Sequence, residues 1–469
     1  MPNKCCGENI RVPSDELWDS RTVLERNRVM RVAGLMSLAA CGILVLATAS
    51  NSERVRQLPL RGPQKLTAGR LLGFVSGPGP TSAVRLVRID PRTLRPSGSR
   101  SLRLPFADAW AVAPGGRTLA LAVHPDPINE PNSLELVKLP SLQPQAGSLR
   151  LGSDVSGLAW TSPHQAVALV GRILCCPAQL SVVVANLQSR RVVRRQPVAG
   201  TVLHIARWTR GLVLLTAPTD AIGPASLVVA DARGVRATQL ASIRAGEVPG
   251  GGGVSEWHLP GLAVDAAGSE AYVVDPDGSV AGVDLRTLAV SVHRVTRQRS
   301  LVARLEGWLE PTAAAKGDSG PIRRALWIGN GFVLVAGSNL QDSEGQLASD
   351  PAGVELIDTR NWTGYILAPQ ADSFTVAEGL LLVTGARWRG NVNPTGMGLA
   401  TYGPDGKRRF GLFAGHDVWI DHIGNGRAYV AGYGWKKERV IDLRTGRIIG
   451  TRTTATAPTL LLGQGSPLG

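Results

Sequence analysis

Cysteine, histidine and lysine are all scarce in this chain of 469 residues: five, seven and seven. Beyond residue 49 the cysteines are a single adjacent pair, Cys175-Cys176. Such a pair closes a strained small-ring disulfide in an oxidising compartment, or stands as two free thiols; the local sequence supplies no further ligands for a metal. The histidines are dispersed. There is no Gly-x-Ser-x-Gly elbow, Walker loop, dinucleotide fingerprint or His-Glu-x-x-His. Those absences exclude the readily recognised nucleophile, nucleotide and zinc chemistries. The scarcity of lysine also bears on charge. The net charge is +15, but arginine supplies 44 of the 51 basic residues, scattered along the chain. No Lys/Arg stripe follows a phosphate backbone, so nucleic acid is not an expected partner.

Long apolar runs are almost absent too. The one exception is 32–49, which is uncharged and follows Arg26, Arg28 and Arg31. In a helix it just spans a bilayer core. It is expected to be an N-terminal membrane anchor. Cleavage after Ala47-Thr48-Ala49 would instead release a secreted protein, and Leu38-Ala39-Ala40-Cys41 has the form of a lipobox. Residues 1–31 form a polar extension without clear pattern, and Met30-Arg31 would make an ordinary start for a signal segment, which puts 1–29 in question. Residues 50–64 read as a linker, and everything from 65 to 465 as one domain. The apolar segment and the cysteine usage together place that domain outside the cytoplasm, at the cell membrane.

What the chain has in abundance is a repeated phrase. Alternating apolar residues end in Asp or Asn and break into a polar turn at Asp90, Asn186, Asp231, Asp284, Asp358 and Asp442, with weaker copies at Leu139 and Gly403. The spacing is mostly that of one four-stranded propeller blade. A hairpin precedes each phrase, and where it turns on Asn-Gly or Gly-Gly those residues supply the positive φ angles. Val112, Trp160, Trp208, Val264, Trp327, Val376 and Ile420 recur in the first strand of each unit, a column that reads as packing between blades. The fold class is therefore all-β: a β-propeller with eight blades by count and seven as the alternative, preceded by one N-terminal apolar helix. The first unit lacks its innermost strand and the run at 457–463 has no local partner, so that run is expected to close the ring and remove exposed sheet edges.

The turns Asp284-Leu285-Arg286-Thr287 and Asp442-Leu443-Arg444-Thr445, with the blade period, make the chain resemble the bacterial YVTN and WD-repeat-like β-propellers over roughly 65–465. No Gly-His…Trp-Asp signature supports the eukaryotic WD-repeat family proper. The resemblance implies a scaffold that carries binding proteins and enzymes alike.

Function is read from the loops. In a blade with strands A to D, the A–B and C–D turns share one face and are short here. The B–C and D–A segments share the other and hold every long stretch: 124–133, 171–179, 217–226, 337–352, 385–398, 241–260 and 297–323. Binding usually sits on such a face. Asp108, Asp154, Asp372 and Asp417 each stand shortly before a first strand, with His204 in an analogous place, so they are expected to ring the channel mouth. They would hold Ca²⁺ or a polar ligand there, unless each merely shapes its turn. Arg387-Trp388-Arg389, and Trp435 before Lys436-Lys437, suit an anionic or sugar-like partner. Residues 300–310 carry apolar positions at helical spacing and predict a short helix on this face. The expectation is a non-catalytic propeller that binds a protein or cell-envelope polymer. The alternative is a hydrolase or oxidoreductase with a metal at the acidic mouth.

Overall fold

The computed structural model describes residues 71–462, apart from 77–83, 91–95, 105, 125–131, 140, 153, 172–179, 250–254, 266–267, 298–319, 344–345, 390–391, 425 and 454–459. The apolar segment 32–49, the Cys175-Cys176 pair and the helix expected at 300–310 lie outside the described residues. Among the described residues there are strands and turns and no helix.

The strands form antiparallel meanders in chain order. One runs Val155–Ser162, Gln165–Val170, Ser181–Asn186 and Arg191–Pro197; the last of the series begins at Val418–Gly424 and ends at Ile448–Thr453. Alternation along each strand sends successive side chains to opposite faces. Ala166 and Ala168 therefore join a core with Ala120 and Ala122 of the preceding sheet, while Val167 and Leu169 join Leu212 and Leu214 of the following one. A sheet buried on both faces needs apolar residues at nearly every central position, as Gln165–Val170 has. Stacking such meanders face to face, with each first strand beside the next, is the arrangement of a β-propeller.

At Asn186, Asp231, Asp284, Asp358 and Asp442 the residue that ends the repeated phrase closes the turn to the fourth strand. Asn186 Oδ1 accepts the Gln188 and Ser189 N–H groups at 3.0 and 2.9 Å. Asp284 Oδ1 accepts those of Arg286 and Thr287 at 2.8 and 2.7 Å, and Asp442 Oδ1 that of Thr445 at 2.7 Å. These are Asx turns, in which the side chain stands in for a backbone acceptor. The recurring first-strand column is core: Trp160 and Trp208 are buried, and each indole N–H donates to a carbonyl of the neighbouring sheet, Ala111 O at 3.0 Å and Gly268 O at 3.2 Å.

Several segments expected as loops are strand. Phe332–Ser343 pairs with Gln346–Pro351 across 337–352, and Leu380–Arg389 pairs with Val392–Tyr402 across 385–398. Gly223–Asp231 begins inside 217–226, and Gly234–Pro249 pairs with Ser255–His258 through much of 241–260. The hairpins outgrow the sheet body, and one bonds sideways: Ala348 and Ser349 pair with Arg389 and Trp388 of the next meander, which merges two meanders into one ten-stranded sheet. This face is thus built of rigid, hydrogen-bonded ribbon where the description reaches it. Strand Leu460–Leu462 pairs antiparallel with Leu71–Ser76, Leu72 opposite Leu462 and Phe74 opposite Leu460.

Candidate functional site

At the B–C end the first strands bring their leading residues together. The Gly171 N–H donates to Asp154 O, the Tyr433 N–H to Asp417 O, and the Asp372 N–H to Thr384 O. Asp154, Asp372 and Asp417 therefore stand at the entry of their sheets. Only Asp372 and Asp417 meet: with Arg324 and Trp419 they line a cavity of about 250 Å³, its wall completed by Ser373 and Thr375. Asp154 is exposed and outside this lining, and the side chain of Asp108 is not among those described. Among the described residues, no group of three or more His, Cys, Asp or Glu side chains is placed to hold a metal ion.

His204 lies deeper than expected. It sits within Thr201–Trp208, paired with Leu215, because a bulge between Val202 and His204 shifts the register. Burial pushes its imidazole down in pKa; hydrogen bonding with the Pro260 and Arg323 backbone opposes this, and the Arg324 charge adds to it. It is not among the residues that line the cavity, though the charge of Arg324, which does line it, reaches its ring.

The two carboxylates share a site without a cationic partner: among the described residues neither makes an ion pair. The Asp372 carboxyl is pushed up to about 6, chiefly by burial, with the Asp417 charge adding to it. The Ala386 N–H, which donates to Asp372 Oδ2 at 3.1 Å, works the other way. Burial raises Asp417 as well. Arg324, lowered by burial, lies over the Phe374 ring at 5.7 Å. The cavity therefore offers two desolvated acceptors, one of which takes a proton near neutrality, one guanidinium donor and the exposed indole of Trp419.

The sign of the pH dependence follows. Folded Asp372 keeps its proton to about pH 6, whereas the unfolded residue releases it near 3.8. Stability contributed here falls as pH rises through that window and stays lower above it, by about 3 kcal/mol. Asp372→Asn keeps the acceptor for Ala386 and removes the ionisation. Denaturant titration should find it more stable than the parent above pH 7 and equal below about pH 4; parallel curves at both pH values would count against an unpaired buried carboxylate.

Beside the cavity, Arg387 and Arg389 both turn onto Asp350, at 2.8 and 2.7 Å. Trp388 stays exposed and meets Tyr433 edge-on, ring centroids 5.7 Å apart. Trp435, expected as a contact, instead folds inward: it packs against Phe413 at 5.0 Å and sits on Gly432, where a Cβ would lie 2.6 Å from the indole. Arg324, Trp419 and Tyr433 are the residues that sequence reasoning missed.

No protein-family model matches the chain, and no curated sequence does. Among solved structures it is similar to the dihydro-heme d1 dehydrogenase NirN, at 14% identity over 93% of this chain and 88% of that one, with a TM-score of 0.47. It is also similar to the periplasmic gluconolactonase PpgL of Pseudomonas aeruginosa (14% identity, 84% and 98% covered, TM-score 0.41) and to BamB of Moraxella catarrhalis (11% identity, 76% and 91% covered, TM-score 0.42). These are likenesses of architecture.

Proposed function

We propose that the chain is a non-catalytic, extracytoplasmic β-propeller of eight blades, tethered by 32–49, that binds a protein or cell-envelope ligand through its loop-rich face. Eight meanders support the count once the ten-stranded sheet is divided at its lateral pairing. Ring closure is supported by the pairing of Leu460–Leu462 with the first strand and by the packing of Tyr429 and Val440 of the last sheet against Val87 and Ile89 of the first.

The observation that carries the binding reading is the cavity in which Asp372, Asp417 and Arg324 converge at the end of the ribboned face. Polar groups gathered in one concave site on a rigid scaffold form a recognition site. The contrast with the other face supplies the test. Asp372→Asn with Asp417→Asn should abolish capture of an envelope component from solubilised membranes at a melting temperature no lower than the parent's. Asp284→Ala should keep capture and lose about 1 kcal/mol, the worth of its turn hydrogen bonds. Capture lost in the turn variant and kept in the mouth variant would place binding on the wrong face.

A further inference from the structure

Resting on that reading of the face, we propose that the cavity and the aromatic pair beside it form a glycan site: one sugar ring enters the cavity against Trp419, and the adjoining ring lies over Trp388 and Tyr433.

The surface is continuous. Asp417, just before Val418–Gly424, and Trp419 line the same cavity, and the Tyr433 N–H, just past Arg427–Gly432, donates to Asp417 O at 3.0 Å. The Trp388 ring then abuts Tyr433. Trp419, Tyr433 and Trp388 are 45%, 51% and 37% exposed, and they are the exposed large aromatics among the described residues. The other described tryptophans are buried, as Trp160 and Trp208 are, or half-buried, so three open rings leading out of one cavity call for a ligand to cover them.

The charges narrow its chemistry. The arginines flanking Trp388 suggest an anion, but both turn onto Asp350, whose carboxylate offsets one of their two charges. Inside the cavity two carboxylates stand without an ion-pair partner among the described residues, and they repel phosphate, uronate or sulfate groups despite the positive net charge of the chain. Hydroxyl groups suit them: a carboxylate accepts two, and Arg324, Ser373 and Thr375 add donors. The apolar C–H face of a pyranose matches an indole face. At about 250 Å³ the cavity falls below the span of roughly 300–1,000 Å³ usual for drug-sized ligands, so one ring fits and the chain continues outside, where the aromatic pair lies.

The test titrates the full-length protein with chitotetraose, maltotetraose and tetragalacturonate, read by tryptophan fluorescence and calorimetry. A neutral tetramer should bind and shift the indole emission. Trp419→Ala should weaken it about tenfold or more and Trp388→Ala several-fold, both at unchanged melting temperature. The matching monosaccharide should respond to Trp419→Ala alone. Tight binding of the acidic tetramer, indifference to both tryptophan changes, or no binding of either neutral tetramer would overturn the assignment. If envelope capture still depends on Asp372 and Asp417 while no glycan binds, the loop-rich face stands as the binding face and its ligand is another class. If capture is indifferent to them as well, both readings fall.

Discussion

Trp160→Ala is expected to cost about 3–5 kcal/mol, the upper range for truncating a buried aromatic. Trp160 is 7% exposed and lies between two sheets, among Ala109, Ala111 and Leu158. Its alanine neighbours are too small to close the space, so the cavity persists. The change also strips the Ala111 carbonyl of the indole N–H at 3.0 Å, a hydrogen bond from one blade to the next. Trp208, 4% exposed and bonded to Gly268 O, repeats the arrangement and should behave alike. Trp419→Ala is the control, since its ring opens onto the cavity and should cost well under about 1 kcal/mol. Guanidinium titrations of the three variants decide the matter. If Trp160 and Trp419 cost the same, the recurring first-strand column is not blade packing.

That column was legible in the sequence because blade packing is periodic. Each sheet buries both faces, so its strands read as short, nearly continuous apolar runs, and each Asx turn demands Asp or Asn at a fixed place. Asn186, Asp284, Asp358 and Asp442 all occupy that place, and all accept backbone N–H groups two or three residues on. Local rules repeated along the chain leave a visible period.

The site was legible only in part, because what gathers it is not periodic. Asp372 and Asp417 stand at strand entries, where spacing points to them. Arg324 is one of two adjacent arginines in a strand that otherwise reads as a packing element, and nothing local says that it shares a cavity with aspartates at the entries of two later strands. The lateral pairing of Ser349 with Trp388 joins residues of different blades, so neither hairpin betrays it. Glycine misled in the same region. Gly337, Gly385 and Gly398 read as loop, yet their backbones run through paired strands, where a Cβ at each would lie within 2.3 Å of a backbone oxygen. Trp435 misled for the opposite reason: two lysines follow it, but the bare Cα of Gly432 lets its ring fold inward.

Removing residues 455–469 is expected to have an effect of the same order as Trp160→Ala, with a different signature. The lost strand pairs with Leu72, Gly73 and Phe74, whose peptide groups would be left at a bare edge. Phe74 and Leu72 are buried in the core between the first and second sheets, so that edge cannot move outward without opening the core. Orphaning several backbone groups there costs roughly 3 kcal/mol or more. The packing of Tyr429 against Val87 and Ile89 would remain, holding the last sheet to the first by side chains alone. If this strand closes a ring, opening it at that seam removes shared stability from the seam onward, so limited proteolysis should cut first within about residues 70–90 while the central sheets stay intact. The exposed edge also templates pairing with other chains, so the truncated protein should form concentration-dependent oligomers that the parent does not. Trp160→Ala, by contrast, should lower the melting temperature without changing where protease cuts first. A truncated chain that melts, migrates and resists protease like the parent would show that Leu460–Leu462 is an appendage to the first sheet and that the ring does not depend on it.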